Sequence, residues 1–375
     1  MSSPGSSLRE KFLNGALSIT LMSVISGFLL GGIILLLAGF NPLEAYGVIL
    51  KGIFSRPKYV SYVIIYSTPL IMTGLSVAFA LRTGLFNIGA EGQYIMGALA
   101  AAGAGYYLEL PMVLHVLAAV AAAVLVAAFW GGLAGWFKAR FGVNEVISTI
   151  MLNWTALYIS NWAITIDSFG RQGTGKTYAI QPTAQIDILG QWKRTPEGIA
   201  FLREHPMLWD ILKSPVNLGF VFALLLAALV WYLLNKTTLG YELRAVGHNP
   251  QAAEAGGISV KRSMFISMLI AGGLAGAAGA FQVLGVSHRI ATLAIMEGYG
   301  FDGIAVSLIG NNSGPGCVLA GLLFGSLKYG GSKIQDVMGA PTEVINIMIG
   351  IIIFFVAMPK LIRMILAYRK RREQN

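Results

Sequence analysis

The chain has 375 residues, of which 55% are hydrophobic and only 12% are charged. Because soluble domains carry roughly 25% charged residues, this composition excludes an ordinary soluble protein and predicts an integral membrane protein. The net charge of +10 is then expected in cytoplasmic loops and beside anionic lipid, which argues against a nucleic-acid partner. The single cysteine, Cys317, excludes an internal disulfide framework and a thiolate metal cluster.

Apolar runs predict an all-α fold, a polytopic transmembrane helical bundle of about 8–10 spans with some broken helices. The first run, 17–40, exceeds the roughly 20 residues that cross the hydrocarbon core, and we interpret it as a retained span rather than a cleaved signal. The runs at 300–312 and 315–332 are short and joined by Asn-Asn-Ser-Gly-Pro-Gly, which is typical of broken or re-entrant helices. The other runs lie at 60–81, 88–108, 112–137, 144–166, 216–235, 263–285 and 344–366.

Ten crossings would place both termini on one side of the membrane. The segments on that side carry 15 Lys and Arg residues, against 6 on the other side when the long 167–215 loop is left out. Long loops contribute little to orientation, so the positive-inside rule predicts cytoplasmic termini. The predicted regions are a cytoplasmic tail (1–16), a transmembrane domain (17–366) that includes an external loop (167–215) and a cytoplasmic loop (236–262), and a basic cytoplasmic tail (367–375).

Several polar residues fall inside predicted spans, where an ionisable group costs roughly 2.5–3.5 kcal/mol and is expected to have a function. For Glu91 two interpretations stay open. Either Asn87 caps the next helix and Glu91 lies in its early turns, or both residues and Gln93 help to form a gate. Asp302 has a similar setting, which suggests two broken elements facing one pathway. The amide of Asn153 either bonds a neighbouring helix or faces the solute.

Two stretches rich in small residues, 97–105 and 271–280, allow helix backbones to approach closely. They are expected to pack either within the chain or between two subunits.

The octapeptide GRQGTGKT at 170–177 satisfies the phosphate-loop pattern G-x-x-x-x-G-K-[ST]. The required context is absent, because the octapeptide follows a membrane span and leads into an extended stretch instead of opening a helix. We therefore predict no nucleotide site there. No H-E-x-x-H or G-x-S-x-G motif occurs, and the scattered histidines are expected to be interfacial or capping residues: His115, His205, His248 and His288.

A polar island at 241–262 separates two apolar stretches. Within it Gly247 is expected to break the helix that descends from the preceding span. Asn249 is expected to cap a new helix with a Pro at its first position, and Gly256-Gly257 to end it. Such a helix of about two turns is marginal in water, so it either docks on another protein or serves as an ordinary connector.

Four stretches resemble a known family. GYELRAVGHNP at 240–250, followed by QAAEAG, resembles the cytoplasmic coupling loop of ABC-importer permeases in the superfamily that serves ribose-type sugars, branched-chain amino acids and nucleosides. RTGLFNIGAEGQYIMGALAAA at 82–102 and GYGFDGIAVSLIGNNSGPG at 298–316 are similar to the same superfamily. GVNEVISTIMLNW at 142–154 is most similar to the nucleoside branch, whose permeases work with a basic-membrane-protein-type binding lipoprotein.

The resemblance implies a multi-pass importer permease in a bacterial cell membrane, with no cofactor bound by this chain. A separate cytoplasmic ABC ATPase would use ATP and Mg²⁺, hold the short helix and move it as a lever. A second permease half is required, and for nucleoside importers a related distinct chain is favoured. The implied coupling residues are Arg244, Gly247, Asn249, Ala252, Ala253, Glu254 and Gly256.

The resemblance also implies a binding lipoprotein outside the cell. The 167–215 loop, with Trp192 and Trp209, is either the platform for that lipoprotein or a lipid-facing interfacial segment.

The predicted spans contain amides, a few acids and aromatic residues but no Lys or Arg well inside, which favours a neutral polar solute such as a nucleoside. The predicted pathway and gate residues are Phe86, Asn87, Glu91, Asn153, Trp154, Phe301 and Asp302. Three alternatives stay open. They are a sugar or branched-chain amino acid permease of the same superfamily, an ion-coupled secondary transporter, and an intramembrane enzyme, for which no catalytic set appears.

Overall fold

A computed structural model describes residues 16–358 of the chain. The predicted tails and the last residues of the final apolar run lie outside this range. Within it the fold is helical with one short β-hairpin, which confirms the all-α prediction. The helices are α1 (Ala16–Leu37), α2 (Pro42–Phe54), α3 (Pro57–Arg82), α4 (Ala90–Tyr107), α5 (Met112–Phe141), α6 (Glu145–Ile164), α7 (Pro196–Glu204), α8 (Pro206–Leu212), α9 (Gly219–Lys236), α10 (Thr238–His248), α11 (Pro250–Ala255), α12 (Val260–Gln282), α13 (Tyr299–Ile309), α14 (Gly314–Met338) and α15 (Thr342–Ala357).

Four of the described helices are long and apolar enough to cross a membrane by themselves. They are α3, α5, α9 and α12, the last of which is extended by a π turn, Val283–Ser287. The apolar part of α1 forms a further candidate together with α2, to which it is joined at a bend of 116°. These helices confirm a polytopic membrane bundle. The polar residues of the predicted spans lie mainly on α4 and α6, which coincide with the predicted runs at 88–108 and 144–166.

Two regions differ from the predicted spans. α2 is not predicted by any apolar run, although its start carries local signals: Pro42 is its first residue, and Asn41 Oδ1 accepts a hydrogen bond from Leu43 N at 3.0 Å. α13 has 11 residues, and at about 1.5 Å per residue it is too short to cross the membrane, which confirms a broken element. α14 has 25 residues, so the prediction of a second short piece is wrong.

The described part of the chain divides into two compact units, one formed by residues 56–326 and the other by the described residues before and after that range. Within the second unit, α1 packs against α15. Within residues 56–326, α12 packs against α4 and α5. A Cβ atom added at Gly97 of α4 would lie 2.4 Å from the Cα of Gly276 on α12. The two small-residue stretches therefore pack against helices of the same chain.

Candidate functional site

The segment between α3 and α4 is held by a pair of buried amides. Asn87 Nδ2 donates to Gln93 Oε1 at 2.9 Å, and Gln93 Nε2 donates to Asn87 Oδ1 at 3.1 Å. Asn87 Nδ2 also lies 3.1 Å from Ser76 Oγ on α3. The first interpretation of Asn87 is wrong, because α4 is preceded by Gly89 and has no side-chain cap. Buried amides need hydrogen-bond partners, and Asn87 and Gln93 provide most of these partners for each other.

Glu91 is fully buried in the first turn of α4, but its carboxylate serves a different helix. Its two oxygens accept hydrogen bonds from the backbone N–H groups of Gly298 at 2.7 Å and Gly300 at 2.6 Å, at the start of α13. A carboxylate at a helix N-terminus is favourable because the first N–H groups have no partner within the helix. A Cβ added at Gly300 would lie 2.1 Å from Glu91 N, so the two backbones also touch.

Asn153 attaches α6 to the same place. It is buried, its Oδ1 accepts a hydrogen bond from Gly92 N at 2.8 Å, and its Nδ2 donates to Ile88 O at 3.0 Å. Of the two possibilities for this amide, the structure therefore has the bond to a neighbouring helix. We name the set Asn87, Glu91, Gln93 and Asn153, with the start of α13, the polar joint.

The predicted aromatic residues are more accessible than the polar joint. Trp154 is 48% exposed and stacks on Tyr158 at a centroid distance of 6.2 Å. Phe301 is 41% exposed, whereas Phe86 and Asp302 are partly buried. The structure thus separates the predicted pathway residues into buried polar groups that bond within the chain and aromatic groups with accessible surface.

A cavity of about 380 Å³ lies beside the polar joint, farther along α4. On one wall Tyr94, only 2% exposed, donates from its hydroxyl to Glu297 Oε2 at 2.8 Å, and its ring lies 5.3 Å from that of Tyr299. Tyr94 and Glu297 are not among the residues predicted from the sequence, although Tyr94 follows Glu91 by three residues and so shares its face of the helix. The polar lining consists of Tyr94, Ser160, Lys176, Gln282, Ser287, Arg289 and Glu297.

Lys176, in the 167–215 segment, lines one side of this cavity. The hairpin of this segment pairs β1 (Gly170–Arg171) with β2 (Lys176–Thr177) and packs on the chain that follows α12. Thr177 N donates to Ile290 O at 3.0 Å, and Thr292 N donates to Gly175 O at 2.8 Å. The octapeptide at 170–177 is therefore a tight hairpin, which confirms that the strand–loop–helix context of a phosphate loop is absent.

Farther along the 167–215 segment, Trp192 and Trp209 are partly buried. Burial lowers the pKa of Lys193 below its ordinary value, and the nearby Asp187 carboxylate opposes this effect. Asp187 Oδ2 lies 3.1 Å from His288 Nε2, and the ring of His115 lies 2.7 Å from Thr183 Oγ1. These two histidines hold the segment to the helical core.

The polar island contains most of α10 and all of α11, and the predicted cap, proline and glycine end of α11 are confirmed. Asn249 Oδ1 accepts from Ala252 N at 3.1 Å, Pro250 is the first residue of α11, and Gly257 has a φ of +82° just after the helix. The prediction for Gly247 is wrong, because α10 continues through it to His248.

The reason for Gly247 is close packing. A Cβ added there would lie 2.2 Å from the carbonyl oxygen of Arg82, the last residue of α3, where the turn that follows α3 begins. Gly84 in the same turn has a φ of +77°, and its added Cβ would lie 3.4 Å from the Cα of Gly247. Arg82 Nε in turn donates to Asn312 O at 2.9 Å, between α13 and α14. The turn therefore contacts both the polar island and the chain after α13.

Two of the predicted coupling residues, Ala253 and Arg244, are not exposed. Ala253 is only 6% exposed, so its side chain belongs to the packing of this chain, and its backbone carbonyl accepts from Ile258 N at 3.0 Å. Arg244 is partly buried, with its Nε 3.3 Å from Gly240 O. The exposed residues of α11 are Pro250, Gln251, Ala252, Glu254 and Ala255, and the flanking residues Gly247, His248, Asn249, Gly256 and Gly257 are exposed as well.

Residues 59–357 match the family described as the branched-chain amino acid transport system / permease component, and the chain belongs to this family. It is a multi-pass transport subunit and not an enzyme. Membership of this family implies that the chain works together with the other subunits of an ABC transporter.

The names of three relatives state two different solutes, guanosine and glucose. The guanosine ABC transporter permease protein NupP of Bacillus subtilis (strain 168) is 40% identical over 359 residues, which cover 96% of this chain and 98% of that protein. The glucose ABC transporter permease protein TsgB13 of Haloferax volcanii is 31% identical over 89% of this chain and 85% of that protein. The guanosine ABC transporter permease protein NupQ, also of Bacillus subtilis, is 29% identical over 70% of this chain and 78% of that protein.

Proposed function

We propose that this chain forms the solute pathway of an ATP-driven importer for nucleosides in a bacterial cell membrane. The observation that carries the proposal is the 40% identity to NupP over nearly the full length of both proteins, because NupP is named a guanosine permease. Family membership by itself does not identify the solute, because another relative is named a permease for glucose.

The importer needs a separate cytoplasmic ABC ATPase that binds ATP and Mg²⁺. We assign its contact to the exposed side of α11, supported by the accessible Ala252 and Glu254 and by the short length of this helix. In this proposal Asn249 and Gly256 fix the ends of α11, and the buried Ala253 joins it to the rest of the chain.

A movement of α11 can be transmitted to the polar joint through α10 and the turn that follows α3. α10, which precedes α11, contacts the turn after α3 through Gly247, and this turn leads within a few residues to Asn87 and Glu91. Arg82, where this turn begins, also holds the chain after α13. We therefore propose that the polar joint is the gate and that α10 transmits the movement of the ATPase to it. Trp154, Phe301, Phe86 and Asp302 are the proposed contacts of the moving solute.

A second permease chain and an external binding lipoprotein complete the proposed assembly. The second chain is proposed to be related but distinct, because two different chains of Bacillus subtilis, NupP and NupQ, are both named guanosine permeases. The proposed orientation has both termini and 236–262 in the cytoplasm and 167–215 outside, within a membrane domain at 17–366. In this orientation 167–215 is the proposed platform for the lipoprotein.

A second candidate solute is a sugar, favoured by the 31% identity to TsgB13, which is named a glucose permease. We would reconstitute the complete complex in liposomes and measure the uptake of radiolabelled guanosine and glucose with and without ATP. ATP-dependent uptake of guanosine alone is expected. Uptake of glucose alone would identify the sugar as the solute. Uptake that does not depend on ATP but stops with an ionophore would contradict an ATP-driven importer.

A further inference from the structure

The cavity beside the polar joint has the size and construction of a small-molecule site. Its volume of about 380 Å³ lies within the usual range of about 300–1,000 Å³ for such sites. Its walls combine apolar side chains, such as Ile95 and Leu293, with the polar side chains named above, which come from four separate parts of the chain and include the cations Lys176 and Arg289. Polar groups placed among apolar side chains are what fixes the orientation of a small ligand.

The polar groups of the cavity have complementary roles. Glu297 supplies a carboxylate, which can accept several hydrogen bonds and donates none when ionised, and Tyr94 donates one to its Oε2. Gln282 supplies an amide that can both donate and accept. Two adjacent hydroxyl groups of a ligand would match the carboxylate, because each hydroxyl can donate to it. Carboxylates recognise ribose hydroxyls in this way in dinucleotide-binding folds.

We propose that this cavity is the site where the nucleoside rests inside the permease, with Glu297 accepting from the 2′- and 3′-hydroxyls and Gln282 bonding the edge of the base. The inference depends on the proposed nucleoside function and deepens it. It assigns to the permease a preference for ribonucleosides over nucleosides that lack the two hydroxyls.

The position of Glu297 links this site to the polar joint. The next residue, Gly298, donates its N–H to Glu91, and Tyr94 and Glu91 are neighbours on one face of α4. A ribose bound to Glu297 would compete with the Tyr94 hydroxyl for the same carboxylate oxygen. Binding of the solute thus acts on the same few residues that attach α13 to α4.

The test measures thiol protection in a complex of the permease chains and the ATPase. The binding lipoprotein is left out, so that only the permease selects the ligand. Ser287→Cys places a thiol in the wall of the cavity, while the native Cys317 is fully buried. Its labelling by a membrane-impermeant methanethiosulfonate is measured on this chain by mass spectrometry. We expect inosine to slow the labelling, and 2′,3′-dideoxyinosine to require about tenfold or more higher concentration. The control Gln191→Cys, exposed in the 167–215 segment, should be labelled at the same rate with and without inosine.

Two further variants separate the carboxylate from its neighbour. In the Ser287→Cys chain, Glu297→Gln should abolish the difference between the two nucleosides. Tyr94→Phe should keep it, because the carboxylate remains and loses only a competing donor. Glu109→Gln, an exposed acid after α4, should also keep it.

The outcomes distinguish this site from the proposed function. If the complex imports inosine with ATP but inosine leaves the labelling of Ser287→Cys unchanged, the cavity is not the resting site and the nucleoside function stands. If Glu297→Gln keeps the preference for inosine, the role of Glu297 is wrong. If the complex imports no nucleoside at all, the proposed function fails and this inference fails with it.

Discussion

The polar joint and the α11 segment are both interruptions of an apolar chain, but they treat their polar groups in opposite ways. In the polar joint Asn87, Glu91 and Asn153 are buried, and each forms two or more hydrogen bonds with groups of the same chain. In α11 the side chains of Ala252 and Glu254 are exposed, and the helix is only six residues long.

The difference teaches how polar residues in a membrane protein divide between internal and external partners. A polar group buried in a low-dielectric interior is costly unless it is hydrogen-bonded. The polar joint therefore contains the hydrogen-bond partners of its own buried groups. A short exposed helix gains little from its own hydrogen bonds and depends on another surface for stability. The two regions should therefore respond differently to substitution, since changes in α11 affect assembly and changes in the joint affect this chain itself.

The largest effect is expected for Ala252→Arg, which places a long charged side chain on the proposed ATPase contact. We expect co-purification of the ATPase to fall to background and ATP-dependent uptake to stop, while the thermal stability of the permease stays unchanged. The same substitution at Ala200, exposed on α7, should leave the ATPase bound. Co-purification of Ala252→Arg at the level of the unmodified chain would remove α11 as the contact. Ala253→Arg should instead lower the stability of the permease, because Ala253 is buried.

The next largest effect is expected for Glu91→Ala, which leaves the N–H groups of Gly298 and Gly300 without their acceptor. An unsatisfied buried group costs about 1–3 kcal/mol, so two of them should lower uptake at least tenfold and reduce the temperature of thermal unfolding. Both quantities can be measured by uptake in liposomes and by size-exclusion chromatography after heating. Glu109→Ala removes an exposed carboxylate near the other end of α4 and should change neither. Normal uptake and stability in Glu91→Ala would mean that the polar joint is not held by this carboxylate.

A smaller effect is expected for Gly247→Ala, since its new methyl group would meet the carbonyl oxygen of Arg82. Overpacking typically costs about 1–3 kcal/mol, and here it should separate α10 from the turn after α3. We expect the ATPase to bind and hydrolyse ATP while uptake per ATP falls severalfold.

The matched control for that substitution is Gly256→Ala, where the added Cβ would meet its nearest atoms at 3.4 Å or more, an ordinary contact distance. It should retain most of the uptake per ATP. Equal loss in both variants would indicate that flexibility of glycine, and not the close contact at Gly247, matters for coupling.

The smallest effect is expected for Asn249→Ala, which removes the cap of α11. Loss of such a cap costs about 1 kcal/mol, so the affinity for the ATPase should fall about fivefold, as measured by titration in detergent. Asn249→Asp keeps a capping oxygen and should bind nearly as well as the unmodified chain. An unchanged affinity in Asn249→Ala would show that the ATPase itself orders the helix.

Much of the fold could be predicted because its causes are local. Hydropathy identified the long spans, and the capping residue, the proline and the glycine pair identified both ends of α11. The failures have a different cause. Asn87 looks like a cap in the sequence, yet its amide bonds Gln93 and Ser76 once the segment is buried. Gly247 looks like a helix breaker, yet it is a contact point, because the turn that it touches lies far away in the sequence.

The sequence by itself determined that this chain is a membrane-embedded helical protein, which family it resembles and where the short helix α11 begins and ends. These properties depend on composition and on interactions between residues a few positions apart. The tertiary structure decided which polar groups meet, such as Glu91 with the start of α13 and Tyr94 with Glu297. Those partners are separated by about two hundred residues along the chain, and only the packing of α4 against α13 brings them within hydrogen-bonding distance.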